Sequence, residues 1–340
     1  MKLSKKINLK HFIAYIIIGI AAIFFTTMSF MQQLDGSILF LLEKITISII
    51  LAISLSVVVG FLGELSLGHA GFMCIGAYIG GKLAAILVPS LENGFLTLII
   101  ALIAGGLCAA IFGMIIGLPA LRLRGDYLAI VTLAFGEIVR TVVMNLPEEL
   151  FGGTLGLRTP RFKNKYLFIV AFVLVILCIA TIQNLLRSKH GRAISSIRDN
   201  EIAARAMGID VTKYKLLVFT ISSFFAGIAG VLYSYTQSRV QSASFSYNYS
   251  IEILVMVVLG GLGSINGSII AAALITYLNV KLQTQLTGDL AVLQNLVYAV
   301  VLILIVIYNN APALKAFREK NNLKALFAKL KNAGKKKEVE

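Results

Sequence analysis

Two ionisable side chains and a serine interrupt an apolar part of the chain within one glycine-rich segment, residues 63–71. The segment reads Gly-Glu-Leu-Ser-Leu-Gly-His-Ala-Gly, so Glu64, Ser66 and His69 stand among glycines. Glycine breaks a helix, and an ionisable group is costly against lipid, so such side chains face a protein interior or water. The pattern predicts a polar lining or gate of a pathway through a membrane protein. A short loop at a membrane face, with Glu64 and His69 solvated, explains it equally well.

A second polar stripe is predicted between Arg124 and Arg140. At about 100° per residue, one side of a helix here would carry three charges and a leucine: Asp126, Glu137, Arg140 and Leu133. Glu137 and Arg140 are three residues apart and can form an ion pair. Asp126 precedes the predicted helix and is placed to cap it. The stripe is either a structural ion pair or a polar lining met by a zwitterionic substrate.

The basic stretch 187–215 predicts a short helix in a loop. Asn200 can cap its start, and Glu201 stands in the first turn, where a negative charge is favourable. Gly208 is placed to end the helix, and the alanines between make it slim. Arg198 lies just before it. Such a helix can dock in a groove of a partner protein, although an ordinary surface helix that binds nothing would look similar.

A related glycine-rich segment occurs later in the chain, where residues 260–267 read Gly-Gly-Leu-Gly-Ser-Ile-Asn-Gly. Like residues 63–71, it stands between two apolar runs. Paired segments of this kind mark the transport site in carriers built from inverted repeats, which would place Gly261, Gly263 and Asn266 at that site. The glycine richness of membrane helices explains the same pattern without a site.

No group of residues indicates a catalytic or metal site. The stretch that ends with Gly81 and Lys82 matches G-x-x-x-x-G-K, but Leu83 stands where a phosphate loop has Ser or Thr. The histidines are too scattered for a metal site: His11, His69 and His190. We therefore predict no ATPase site, no catalytic residue and no cofactor bound by this chain.

Most of the chain is predicted to be surrounded by lipid. Hydrophobic residues make up 58% and charged residues 14%, and uncharged apolar runs such as 45–62 and 94–121 recur. A bilayer core needs about 20 such residues per helix, and continuous runs favour helices over the alternating strands of a barrel. The net charge of +15 does not indicate nucleic-acid binding, because most basic residues cluster beside the apolar runs.

The predicted fold is all-α and polytopic, with about 8–10 transmembrane helices. The predicted spans are 12–31, 45–62, 72–88, 95–117, 127–145, 166–185, 216–236 and 289–308, with a glycine-broken, re-entrant unit of two short arms, 251–262 and 267–281.

The distribution of basic residues predicts the orientation in a cell membrane. Clusters at 2–10, 122–124, 187–215 and 315–337 mark the cytoplasmic side, while the basic loop 158–165 counts against this topology. The predicted organisation is a cytoplasmic tail 1–11, a transmembrane domain 12–309 with a cytoplasmic loop 186–215, and a basic amphipathic cytoplasmic tail 310–340 that suits an anionic membrane lipid surface.

Three segments together resemble a known family. Residues 191–208, with the pattern E-x-A-A-x-x-x-G, resemble the coupling loop of ABC transporter permeases. Combined with residues 63–78 and 124–140, they resemble the M-type permease subunit of the bacterial branched-chain amino acid uptake system. The resemblance extends from about residue 40 to residue 308.

The resemblance implies an inverted-repeat importer permease that works with a sister permease, two ABC ATPase subunits and an extracytoplasmic substrate-binding protein. The partner subunits would use ATP, and the binding protein would deliver leucine, isoleucine or valine. Contacts with an ATPase subunit would fall to five residues: Arg198, Glu201, Ala203, Ala204 and Gly208. Related importers for urea, short amides or nucleosides remain open, as does a stand-alone secondary carrier.

Overall fold

The computed structural model describes residues 36–88, 94–123, 125–160 and 167–285, with the single helical residues 296, 299, 300, 303 and 307. The helices of residues 36–285 are α1 (Gly36–Ser56), α2 (His69–Leu87), α3 (Gly94–Ala120), α4 (Asp126–Asn145), α5 (Glu148–Phe151), α6 (Leu167–Arg187), α7 (Lys189–Asp199), α8 (Glu201–Ala206), α9 (Val211–Thr236), α10 (Tyr247–Gly260) and α11 (Ile265–Gln285). Within the described residues, seven helices are long and apolar enough to cross a membrane: α1, α2, α3, α4, α6, α9 and α11. The prediction of an all-α, polytopic fold is confirmed.

Helix α9 packs centrally among α1, α2 and α3, because glycines let three backbones meet. Gly76 of α2 lies against the Gly227 backbone of α9, and no space remains for a side chain on Gly76. Gly105 of α3 packs against Gly76 and against Val231 of α9. Close backbone approach gives van der Waals contact where lipid removes the hydrophobic driving force between helices. The glycines that precede Lys82 therefore serve helix packing.

Most predicted spans correspond to observed helices within a few residues, but two helices begin earlier than predicted. α1 begins before residue 45, and it contains Lys44, whose Nζ lies 4.8 Å from the centre of the Phe40 ring one turn earlier. α9 begins before residue 216, because Asp210 caps it by accepting a hydrogen bond from a backbone N–H of its first turn. Both starts contain charged residues, and the predicted spans excluded them because those spans were drawn as uncharged apolar runs.

The glycine-broken unit is confirmed, but its second arm is longer than predicted. α10 has 14 residues and α11 has 21. Between them Gly261 and Gly263 have φ of 91° and 79°, values that favour glycine. α11 continues past residue 281 because the following Leu, Gln and Thr residues include no helix breaker. The prediction of two short arms is therefore wrong for α11, and re-entrance stays a prediction.

A small cap covers one end of the described bundle. It contains α5, a 3₁₀ turn (Gly153–Leu155), and strand β1 (Leu157–Arg158), which pairs antiparallel with β2 (Arg239–Val240) directly after α9. Lys82 Nζ donates a 2.8 Å hydrogen bond to the Glu149 carbonyl oxygen. Helix α8 lies beside the start of α9, so we call the two ends of α9 the cap end and the α8 end.

Several predictions lie outside the described residues. These are the tail 1–11, the span 12–31 and the tail 310–340, and most of the span 289–308. Of the described residues, those up to Tyr277 belong to one compact unit and those from Leu278 onward to a second.

Candidate functional site

The glycine-rich segment between α1 and α2 is a break inside the bundle. α1 ends in a π-helical turn (Val57–Leu62), and Gly63 follows with φ of 82°. The chain is then irregular until His69, the first residue of α2. The His69 ring is buried, and its Nε2 lies 2.8 Å from Ser54 Oγ, so α2 begins beside the body of α1 and not beyond its end. The interpretation of a solvated His69 is therefore wrong.

Groups of α4 and α10 bind the backbone of this segment. Leu67 N donates to Thr132 Oγ1 of α4, and Ala70 N donates to Ser250 Oγ of α10, both at 3.0 Å. Irregular backbone at membrane depth requires such partners. The Ser66 hydroxyl is buried and has no hydrogen-bond partner among the described residues. The segment is thus held between helices and carries one unpaired hydroxyl.

The predicted ion pair of α4 is confirmed, and it also contacts the start of α10. Arg140 Nε lies 2.7 Å from Glu137 Oε2, and Glu137 Oε1 accepts a 2.8 Å hydrogen bond from Tyr247 N. A carboxylate is stabilised by the free N–H groups at a helix start. Asp126 is exposed and is the first residue of α4, because Gly125 occupies the cap position, so the predicted Asp126 cap is wrong. Asp126 lies about 16 Å along the helix from Glu137, away from the ion pair.

The end of α1, directly before residues 63–71, meets the second glycine-rich segment in space. Gly60, in the π-helical turn, packs against the backbone of Gly263, and a side chain on Gly60 would overlap it. Gly261 is half-buried, and Asn266 is exposed in the first turn of α11. The structure therefore brings Gly263 to the end of α1, as paired broken helices would require. The inverted repeat itself stays a prediction.

The short helix predicted in the basic loop is confirmed as α8, and so are both of its ends. Asn200 Oδ1 accepts a 3.0 Å hydrogen bond from Ala203 N. Gly208 has φ of 81°, and the N–H groups of Gly208 and Ile209 bond back to carbonyls of the helix. This is the glycine-ended arrangement that completes the last turn of a helix.

Helix α8 and the residue that follows it present two large apolar side chains that were not predicted from the sequence. Ile202 is 74% exposed and Met207 is 83% exposed. Ala203 is also exposed, whereas Ala204 is buried toward the bundle. Contiguous exposed apolar patches mark interaction surfaces, and these two side chains lie within one short stretch of the chain. The available signal was a pair of large apolar residues beside the alanines of an otherwise charged loop.

We expect Asn200→Ala to loosen α8. Loss of the cap costs about 1 kcal/mol, which corresponds to about fivefold faster opening of the helix. Hydrogen exchange of the amides of residues 203–206, followed by mass spectrometry on the purified chain, measures this change. Asn200→Asp retains an acceptor and should exchange like the unchanged chain. Equal exchange in the alanine variant would contradict the capping role.

A buried lysine joins α8 to the broken segment. Lys215 of α9 is 3% exposed, and its Nζ forms ion pairs with Glu64 Oε1 and, at 3.1 Å, with Glu201 Oε2. The Arg198 side chain of α7 lies against Gly63 at the start of the same segment. From the sequence, Lys215 counted only toward the membrane orientation, because Glu64 is 151 positions away and no spacing indicates the pair.

The described residues offer an apolar groove but no metal site. The groove has a volume of about 590 Å³ and opens between α2, α3 and α4. Its lining includes Ile75, Phe112, Phe135 and Ile138. Within the described ranges, no three His, Cys, Asp or Glu side chains lie together as metal ligands do. The groove can therefore accommodate apolar groups.

Residues 37–307 match the family described as the permease component of the branched-chain amino acid transport system. The chain belongs to this family. The resemblance drawn from the three segments is therefore confirmed, and the seven long apolar helices agree with membership of a family of membrane transport components.

Three relatives of this permease show the range of the family. The high-affinity branched-chain amino acid transport system permease protein LivM of Salmonella typhimurium is 38% identical over 260 residues, which is 67% of this chain and 60% of the relative. The probable branched-chain amino acid transport permease protein LivM of Methanocaldococcus jannaschii is 29% identical over 192 residues, 54% of this chain and 55% of the relative. The ribose import permease protein RbsC of Escherichia coli is 31% identical over 145 residues, 41% of this chain and 44% of the relative. The permease thus spans 60% or less of these relatives, and no solved structure matches it.

Proposed function

We propose that this chain is the transmembrane subunit of an ATP-driven importer for leucine, isoleucine and valine. The observation that carries the proposal is the family match over residues 37–307, together with relatives named for branched-chain amino acid transport. The chain acts as a transport subunit without its own ATPase, and a substrate-binding protein delivers the amino acid. The apolar groove and the uncharged helix faces suit a cargo with an aliphatic side chain.

The α8 end faces the cytoplasm in this proposal, and α8 docks on an ATPase subunit. Six basic residues near α8 support this orientation under the positive-inside rule: Arg187, Lys189, Arg192, Arg198, Arg205 and Lys213. The exposed Ile202 and Met207 give the contact an apolar centre. A sister permease completes the membrane part, and two ATPase subunits hydrolyse ATP.

The translocation pathway runs past the broken segments in this proposal. Its support is the buried position of Ser66 and His69 and the contact between Gly60 and Gly263. Glu137 and Arg140 fix the start of α10 beside this pathway and do not need to bind the cargo themselves. Asp126 has no part in the pathway, since it is exposed at the start of α4.

Reconstitution tests the proposed function. The chain is purified together with the sister permease and the ATPases encoded by neighbouring genes, and it is placed in vesicles with the binding protein. We expect uptake of labelled leucine that requires ATP and is competed by isoleucine and valine. The chain alone should take up none, and ion-gradient-driven uptake by the chain alone would contradict the proposal in favour of a secondary carrier.

A second cargo class deserves a parallel measurement, because one relative is named a ribose import permease. Ribose, urea, short amides and nucleosides are each added as competitors at about a hundredfold molar excess over leucine. We expect none of them to reduce leucine uptake. ATP-driven uptake of one of them in place of leucine would contradict the proposed cargo but not the proposed permease function.

A further inference from the structure

We propose that Lys215 is a positioning residue that transmits movement of the ATPase subunits from α8 to the glycine-broken segment. The inference rests on the proposed function and adds to it the route by which the docked helix acts on the pathway. Lys215 holds Glu201 of α8 and Glu64 of the segment at the same ammonium group. One side chain therefore contacts both the proposed docking helix α8 and Glu64 near the start of the break.

Burial makes this connection stronger than a surface ion pair. The Lys215 side chain is 3% exposed, and the side chains of Glu64 and Glu201 are 12% and 20% exposed. Exposed pairs contribute little, because water and salt screen them and their side chains lose entropy. In a buried group, separation of the partners leaves a desolvated charge, so the three side chains move together or the arrangement is lost.

A second contact lies directly beside the first. The Arg198 side chain of α7 packs on Gly63, where a Cβ atom would lie 2.9 Å from the Arg198 Cγ atom. α7 and α8 are consecutive helices joined at Asn200, so both contacts reach the segment from the same loop. A displacement of that loop reaches residues 63 and 64 through an ion pair and through a packing contact.

The segment can pass such a displacement to the interior. Gly63 begins it with a left-handed conformation, and the backbone from residue 63 to residue 68 is not helical. It ends at His69, which contacts Ser54, and the Ser54 carbonyl oxygen accepts a 2.7 Å hydrogen bond from Ser222 Oγ. A short irregular link between packed helices is the kind of element that absorbs a change of backbone angles. The link therefore connects the α8 end with the centre of the bundle.

The test compares leucine uptake with ATP hydrolysis in the reconstituted complex. We expect Lys215→Met and Glu64→Gln to lower the number of leucine molecules taken up per ATP hydrolysed by about tenfold, because the coupling between two sites is removed. Lys213→Met is the matched control, since it changes an exposed lysine in the first turn of the same helix. A general loss of folded protein lowers uptake and hydrolysis together and leaves the ratio unchanged.

The outcomes separate this inference from the proposed function. If the unchanged complex shows no ATP-dependent uptake, the proposed function itself fails. If that complex transports and both Lys215→Met and Glu64→Gln keep its ratio, the transmission role is overturned. Failure of both variants to assemble with the ATPases would also overturn it, because Lys215 would then serve assembly and not transmission.

Discussion

The double substitution Ile202→Asp with Met207→Asp is expected to detach the ATPase subunits and to lower ATP-driven leucine uptake by about a hundredfold or more. Ile202 lies in α8 and Met207 directly follows it, at 74% and 83% exposure, and no other element of the described chain covers them. Carboxylates at the centre of an apolar contact would be buried without partners, which is strongly unfavourable. Co-purification of the ATPases with the tagged permease and uptake in vesicles measure the two effects.

Leu155→Asp is the control for the introduction of charge at an exposed apolar position. Leu155 is 60% exposed and lies in the cap, at the other end of α9 from α8. This variant should retain the ATPases in full. ATPase retention by the double variant at the level of the Leu155 variant would show that α8 is an ordinary surface helix, which is the alternative that the sequence left open.

The existence of the membrane helices could be predicted from the sequence, because lipid imposes long uncharged runs on each of them. The starts of α1 and α9 could not be predicted in the same way, because both contain charged residues and the predicted spans were drawn from uncharged apolar runs. Lys215 is the clearest case. It belongs to α9, yet its charge is compatible with burial only through two carboxylates supplied by other elements. The length of α11 was missed for a related reason, since a helix continues into polar sequence until something breaks it.

In the candidate site, too, local interactions could be predicted from the sequence and distant interactions could not. Asn200 and Gly208 could be predicted as the ends of α8, since each bonds to backbone within a few residues. The contact of Glu137 with Tyr247 joins residues 110 positions apart, and no local pattern encodes it. The meeting of Gly60 with Gly263 was not predicted, because Gly60 precedes the segment 63–71 and its partner is distant in the sequence.

Gly60→Ala is expected to separate the two broken segments and to reduce uptake by about tenfold or more. The added methyl group would overlap the Gly263 backbone, which cannot turn aside as a flexible side chain could. Overpacking of this kind costs about 1–3 kcal/mol, so the thermal midpoint of the purified complex should fall as well. Uptake assays and a melting curve in detergent measure the two quantities.

Gly36→Ala provides the matched control, because the same methyl group at residue 36 would meet nothing within 4 Å. Alanine also favours a helix over glycine, so this variant should be neutral or slightly more stable. Equal uptake and equal thermal midpoints for Gly60→Ala and Gly36→Ala would mean that the segments can separate without loss. The close approach at Gly60 would then be a packing detail, and the pathway would have to pass elsewhere in the bundle.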